Sequence, residues 1–272
     1  MHTRRYPACQ LVVAMSVVLL AISLAGRTSR ATSSIVTAPT ARRDGIAADV
    51  AQRATSMSKL AALASSELTS NRASSAADTA IALAELVGRR FVHGESRHHF
   101  LDNWLLATLG SISPAFGHIW DPDLLLARSD SLQCDQSSYV LLALARRFGF
   151  RTRHVGLGGH VVTELWYSGD WHIFDPDYNV FGRDSSGRVV SAEEIARDSS
   201  LIVRSYRSRG VEMPRFRREE FTFVAYPQGA RWEWKANALA AFERAAEVMI
   251  WLIPLCGALS GAICLARRRS IT

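Results

Sequence analysis

Three residues between Gln133 and Tyr178 could do chemistry together: Cys134, His160 and Asp175, in that order along the chain. A thiol, an imidazole and a carboxylate of this kind make an activated nucleophile. The sulfur attacks a carbonyl, the imidazole takes and returns the proton, and the carboxylate fixes the ring's tautomer. Singly, each residue has a plainer reading. A lone Cys is most often a buried structural residue, a lone His a half-buried surface residue, and Asp175-Pro176 an ordinary turn. Chance explains the three in one short stretch less easily than it explains any one of them.

Local patterns place each of them. Tyr139, Val140, Leu142, Ala143, Leu144 and Phe148 form an apolar stripe at helical spacing, with Ser129, Asp130 and Ser131 as candidate caps and Gly149 as a stop. Cys134 is therefore expected in or just before the first helical turn, where free N–H groups and the helix dipole favour an anion. Arg151 to Val155 reads as a strand and Gly156 to Gly159 as a turn. In the next strand His160, Val162 and Glu164 share one face, with Val161, Thr163 and Leu165 on the other. That alternation predicts a sheet with one face covered and one lining a cleft. Ser168-Gly169-Asp170 reads as a hairpin turn and Trp171 to Phe174 as the returning strand. Paired strands lie about 4.8 Å apart, so His160 and Asp175 are expected at the same open end of the hairpin. Asp177, two residues on, is a rival partner for the imidazole.

Taken together, these residues resemble the core of the transglutaminase-like superfamily, a branch of the papain-like cysteine enzymes. The matching parts are Cys134 at the start of a helix that ends at Gly149, His160 with Glu164 on a strand, then Trp171, Ile173, Phe174 and Asp175-Pro176. Leu132 departs from the small residue usual two positions before the Cys. The resemblance implies an α+β fold in which the helix bearing Cys134 packs on an antiparallel sheet bearing His160 and Asp175. It also implies Cys134, His160 and Asp175 as the catalytic residues, and an oxyanion donor among Trp104, Trp120, Gln133 and the backbone N–H of Cys134.

The chain has 272 residues, a net charge of +7, 48% hydrophobic residues and four cysteines. That is enough for one medium domain plus membrane segments. Cys9, Cys256 and Cys264 fall in or beside apolar terminal runs, which leaves Cys134 as the only thiol of the central region. Residues 1–26 read as a signal peptide or an N-terminal transmembrane anchor, with Ser23-Leu24-Ala25 as a candidate cleavage site. Residues 248–266 read as a second transmembrane helix, followed by the basic tail 267–272. The basic flanks of both runs point to the cytoplasm, which predicts an inner (cell) membrane protein with its catalytic domain extracytoplasmic.

Between these ends, 27–45 reads as a linker and 46–90 as a helical region with helices over Ile46–Leu68 and Ala76–Val87. The transglutaminase-like domain is expected over 91–230, with a helix around Phe100–Leu109, and 231–247 as a juxtamembrane helix. Ser191 with Glu194 forms a capping box that starts a short helix to about Arg197. Arg188–Val190 and Phe221–Tyr226 read as strands, and the basic run Leu201–Arg218 as a solvated loop near the membrane. His98, His99, His118, Asp121 and Asp123 lack the spacing of a known metal site, so neither metal nor cofactor is expected.

The expected activity is that of a membrane-anchored cysteine hydrolase, protease or transamidase acting on an amide or ester acyl group. The expected partners are a peptide or protein substrate in the cell envelope and membrane lipid, with no nucleic acid. The alternative is a non-catalytic, membrane-held binding or assembly module that keeps the same fold.

Overall fold

The computed structural model describes residues 7–28, 34–35, 48–70, 74–157, 159–211 and 230–269. Most of the expected linker, the strand Phe221–Tyr226 and the basic residues Arg215, Arg217 and Arg218 lie outside them. In chain order the first elements are α1 (Pro7–Thr28), β1 (Ser34–Ile35), α2 (Ala48–Arg53), α3 (Met57–Ser70), α4 (Ala76–Arg90), β2 (Val92–His93) and β3 (Glu95–Ser96). Next come α5 (Trp104–Ile112), α6 (Pro114–Gly117), α7 (Pro122–Arg128), β4 (Ser131–Leu132) and α8 (Cys134–Arg147). The last are β5 (Arg151–Gly156), β6 (Val161–Tyr167), β7 (Asp170–Phe174), α9 (Ala192–Arg197), α10 (Ser200–Ser208) and α11 (Ala230–Arg269). The protein is α+β, mostly helical, with small sheets and an apolar helix near each end. It divides into two compact units.

One unit comprises Met1–Ser33, Arg97–Ile119 and Leu239–Thr272. Pro7–Arg27 and Trp234–Arg267 are each long and apolar enough to cross a membrane. Gly257 and Gly261, four apart on α11, let α1 approach closely: a methyl group at either would collide with Ser16 or Val13. Small residues at this spacing are what close helix pairs in lipid require. Cys9 and Cys264 are disulfide-bonded. The expected helix Phe100–Leu109 begins later, at Trp104, because Asn103 caps it by accepting the Leu106 N–H at 3.0 Å.

The other unit, Ser34–Ser96 and Trp120–Ala238, holds Cys134, His160 and Asp175. Its centre is the antiparallel sheet β5-β6-β7. α8 packs on β5 and β6, with α3 and α4 on its other side. On the opposite sheet face Val155, Val162 and Ile173 meet Ile195 of α9 and Ile202 and Tyr206 of α10 in one apolar cluster. Both faces of the sheet are therefore covered, not one as expected. Thr163 and Glu164 are fully buried, and each has the partners that make this tolerable. Thr163 Oγ1 donates to the Ser138 carbonyl at 2.9 Å. Glu164 accepts from Arg153 at 2.6 Å and from the Ala192 N–H at 2.7 Å.

Other expectations are corrected by capping and burial. The region Ile46–Leu68 is not one helix but α2 and α3, interrupted after Arg53. The N-cap of α8 is Gln133, because Ser131 and Leu132 are drawn into β4, which runs parallel to β2. At the other end of α8, Gly149 N–H bonds to Arg146 and Phe150 N–H to Ala145, the closure expected of a glycine stop. Arg188–Val190 forms only an isolated bridge, Arg183 to Val189. The expected capping box is present at Ser191 and Glu194, and α9 runs from Ala192 to Arg197. The basic run is not a solvated loop in its described part. It is helix α10, turned so that Ile202 and Tyr206 are buried.

His154 on β5 is buried, with Tyr139 of α8 edge-on at 6.1 Å. Burial pushes its pKa down to about 4, and the Ser138 backbone bond only partly offsets this. The unfolded chain takes up this proton below pH 6.5 and the folded chain only near pH 4. Stability is therefore lost as pH falls through that window, by up to about 3 kcal/mol. Melting of the full chain in detergent between pH 7 and 4 is expected to show that loss, and His154→Phe to flatten it.

Candidate functional site

Cys134 is the first residue of α8 and is a free, half-buried thiol. Cys134, Asp135 and Gln136 precede the first bond of the helical ladder, which the Ser137 N–H donates to the Gln133 carbonyl at 2.9 Å. The turn is held by Gln136, which is 2% exposed. Its Oε1 accepts from the N–H groups of Ser96 and Gln133, and its Nε2 donates to the Ser96 carbonyl. One turn on, Ser138 Oγ donates to the Val161 carbonyl at 3.0 Å. That bond and the return bond from Thr163 fix α8 against the start of β6, and so fix Cys134 against His160.

His160 directly precedes β6, and Asp175 directly follows β7. The hairpin brings them to one end, where His160 Nε2 lies 2.7 Å from Asp175 Oδ2. The Cys134 sulfur also lies near the ring, within 4.8 Å of one of its nitrogens. The structure thus brings the three sequence-singled residues together. Asp177, the rival, instead faces His93, whose Nδ1 lies 2.9 Å from its Oδ2. Its carboxylate still belongs to the cluster: one ligand atom each from Cys134, His160 and Asp177 lie within 4.8 Å of one another.

Asp175 is 1% exposed, so its charge must be met inside the protein. Oδ2 receives His160 and the Tyr206 hydroxyl, the latter at 2.6 Å. Oδ1 receives the N–H groups of Asp177 at 2.9 Å and Tyr178 at 3.3 Å. Burial disfavours a charge on His160, but Asp175, by charge and hydrogen bond, and the neighbouring sulfur outweigh it. The ring is held well above its ordinary pKa. Burial and the charge of Asp175 push the Tyr206 hydroxyl well above its usual range, so it stays a donor.

Two site residues escape a reading of the sequence. Tyr206 sits in the run read as a loop; its spacing of four from Ile202 is the available signal. His93 arrives because β2 pairs in parallel with β4, with His93 opposite Leu132, two residues before Cys134. Two-residue strands leave no periodicity to read. The hydrogen bond that His93 donates to Asp177 holds its ring above its ordinary pKa despite burial, while burial pushes the Asp177 carboxyl up. Tyr178 stacks on His93 at 5.2 Å and lies 5.5 Å from the His160 ring. Burial raises its hydroxyl to about 12.

The remaining candidates have other places. The Trp104 indole N–H donates to Ser23 Oγ at 3.1 Å, and Trp120 is buried. His98 bonds Glu243 at 2.8 Å, and His99 accepts from the Leu101 N–H. Asp121 caps α7, and Asp123 accepts from the Met57 N–H at 2.7 Å. No family model, curated protein or solved structure matches the chain.

The charge of Asp175 is what holds the proton on His160. Asp175→Asn is expected to lower the midpoint of His160 protonation by about one to three pH units, as read by NMR titration of the labelled imidazole. In the wild type the linked stabilisation is complete below pH 6.5 and fades as pH rises through the elevated midpoint. The variant should lose that alkaline fade.

Proposed function

We propose that the protein is a membrane-held cysteine acyl hydrolase or transferase of transglutaminase-like design, with Cys134 as nucleophile, His160 as base and acid, and Asp175 as the residue that orients the ring. The observation that carries this reading is His160 bonded to Asp175 at 2.7 Å, with the Cys134 sulfur within 4.8 Å of a nitrogen of the same ring.

With the proton of the pair already on His160, the Cys134 sulfur attacks as thiolate the carbonyl carbon of an amide or ester. The carbonyl electron pair moves to oxygen, and the backbone N–H of Cys134 is placed to meet that developing charge. When the tetrahedral centre collapses, His160 returns its proton to the leaving amine or alcohol, and an acyl thioester remains on Cys134. Water or an amine then gives its proton to His160 and attacks the thioester. The sulfur departs as thiolate beside the protonated His160, which restores the starting state. Water gives a hydrolase and an amine a transamidase; we favour hydrolysis.

The two apolar helices support a membrane location. The basic residues flanking both runs support an extracytoplasmic catalytic unit that acts on envelope peptides or proteins.

The test uses purified full chain in detergent with an activated acetyl ester as reporter. Wild type is expected to release the alcohol and carry acetate on Cys134 by mass spectrometry. Cys134→Ala and His160→Ala should each lower kcat by roughly four orders of magnitude, and the double variant little further, because the two act as a unit. Turnover that survives in Cys134→Ala would end this reading. A cellular role kept by Cys134→Ser but lost on deletion of the unit would favour the binding module.

A further inference from the structure

Acyl transfer leaves one buried carboxylate of the site unused. The Asp177 side chain is 1% exposed, and one of its oxygens lies with Cys134 Sγ and a His160 ring nitrogen in a group whose members are all within 4.8 Å of one another. A thiolate, an imidazole and a carboxylate are all ligands of Zn2+. Bond lengths of 2.0–2.3 Å place tetrahedral ligand atoms about 3.3–3.8 Å apart. Side-chain shifts on the order of 1 Å would therefore close the three atoms onto an ion.

The outer contacts are also those of a metal site. A ligating histidine ordinarily gives its other ring nitrogen to a carboxylate, which orients the ring and raises its basicity. His160 gives Nε2 to Asp175 at 2.7 Å, which leaves Nδ1 as the ring nitrogen for a metal. The Asp177 carboxylate is itself steadied, by His93 at 2.9 Å. Cys134 is half-buried, and three protein ligands on a tetrahedral ion would leave a fourth position for water. The sulfur selects a thiophilic ion over Mg2+ or Ca2+.

The geometry points to a second use of this crevice: it binds a Zn2+-type cation through Cys134 Sγ, His160 Nδ1 and an Asp177 oxygen, and the bound ion blocks the thiol. Binding displaces protons from sulfur and imidazole, since both must present lone pairs to the metal. The site stands on its ligand geometry and does not require that Cys134 be a nucleophile. Asp177 also becomes a residue whose loss relieves Zn2+ inhibition, which no step of acyl transfer asks of it.

Co2+ and Zn2+ titrations of the full chain in detergent test this without any substrate. Co2+ is expected to give a sulfur-to-metal band in the near ultraviolet and the visible bands of a tetrahedral ion, displaced by Zn2+. Cys134→Ser should abolish them and Cys256→Ser leave them unchanged. Asp177→Asn should weaken Zn2+ at least tenfold, and Asp175→Asn, through the outer contact, by about 10–100-fold. As a check independent of variant folding, Zn2+ should slow iodoacetamide labelling of wild-type Cys134 and not of Cys256. Bands that follow Cys256, an affinity unmoved by Asp177→Asn, or equal labelling with and without Zn2+ would overturn the proposal. Co2+ bands without ester turnover would leave the metal site standing and remove only the acyl-transfer reading.

Discussion

A carboxylate kept charged away from water is the constraint around which this unit is arranged. An isolated ion at the depth of Asp175 would cost several kcal/mol. The cost is met by donors from different parts of the chain: the imidazole before β6, two backbone N–H groups of the loop after β7, and the Tyr206 hydroxyl from α10. Each donor is held in turn by packing. Tyr206 is fully buried in the apolar cluster beneath the sheet, and the loop is closed by the paired bonds between Asp175 and Val180. The apolar layer and the polar site are therefore one construction. Loosening the contact of α10 with the sheet would leave a buried charge with a donor missing.

The second constraint is the approach of two elements that share no hydrogen-bond ladder. α8 carries the sulfur and β6 follows the imidazole, and helix-to-sheet packing alone sets a distance only loosely. The pair of bonds linking Ser138 with Val161 and Thr163 makes it definite. Gln136 does the same for the first turn of α8 against β3. These buried polar contacts lend little net stability. What they fix is alignment, as fully satisfied polar networks in cores do.

Much of this is legible in the amino-acid sequence, because the informative signals are local. The apolar stripe of α8, its glycine stop and the hairpin around Ser168-Gly169 each lie within a few residues of one another. They are enough to place Cys134, His160 and Asp175 in their elements. The rest depends on separations that a local pattern does not encode. His93 comes to the site through a two-residue parallel pairing, and Tyr206 through a helix hidden in a run of arginines. Thr163 and Glu164 mislead for another reason. One polar residue on each face suits a sheet with one face lining a cleft, yet both are buried with their bonds satisfied inside. Serines 129 and 131, good caps by type, are claimed by other elements, and a glutamine takes the position.

The tight turn between β6 and β7 sits far from the sulfur, yet it acts as the site's ruler. Ser168 and Gly169 both have positive φ, 51° and 84°, the twist a two-residue connection needs. From that turn the strands count back residue by residue, Tyr167 against Asp170 through to Thr163 against Phe174. His160 and Asp175 lie beyond the last of these pairs. Because side chains alternate, one residue added at the bend would slip the count by one and turn the carboxylate to the wrong side of the sheet. Spelling at this bend is open to any residues that accept its backbone angles, whereas its length is not free to drift.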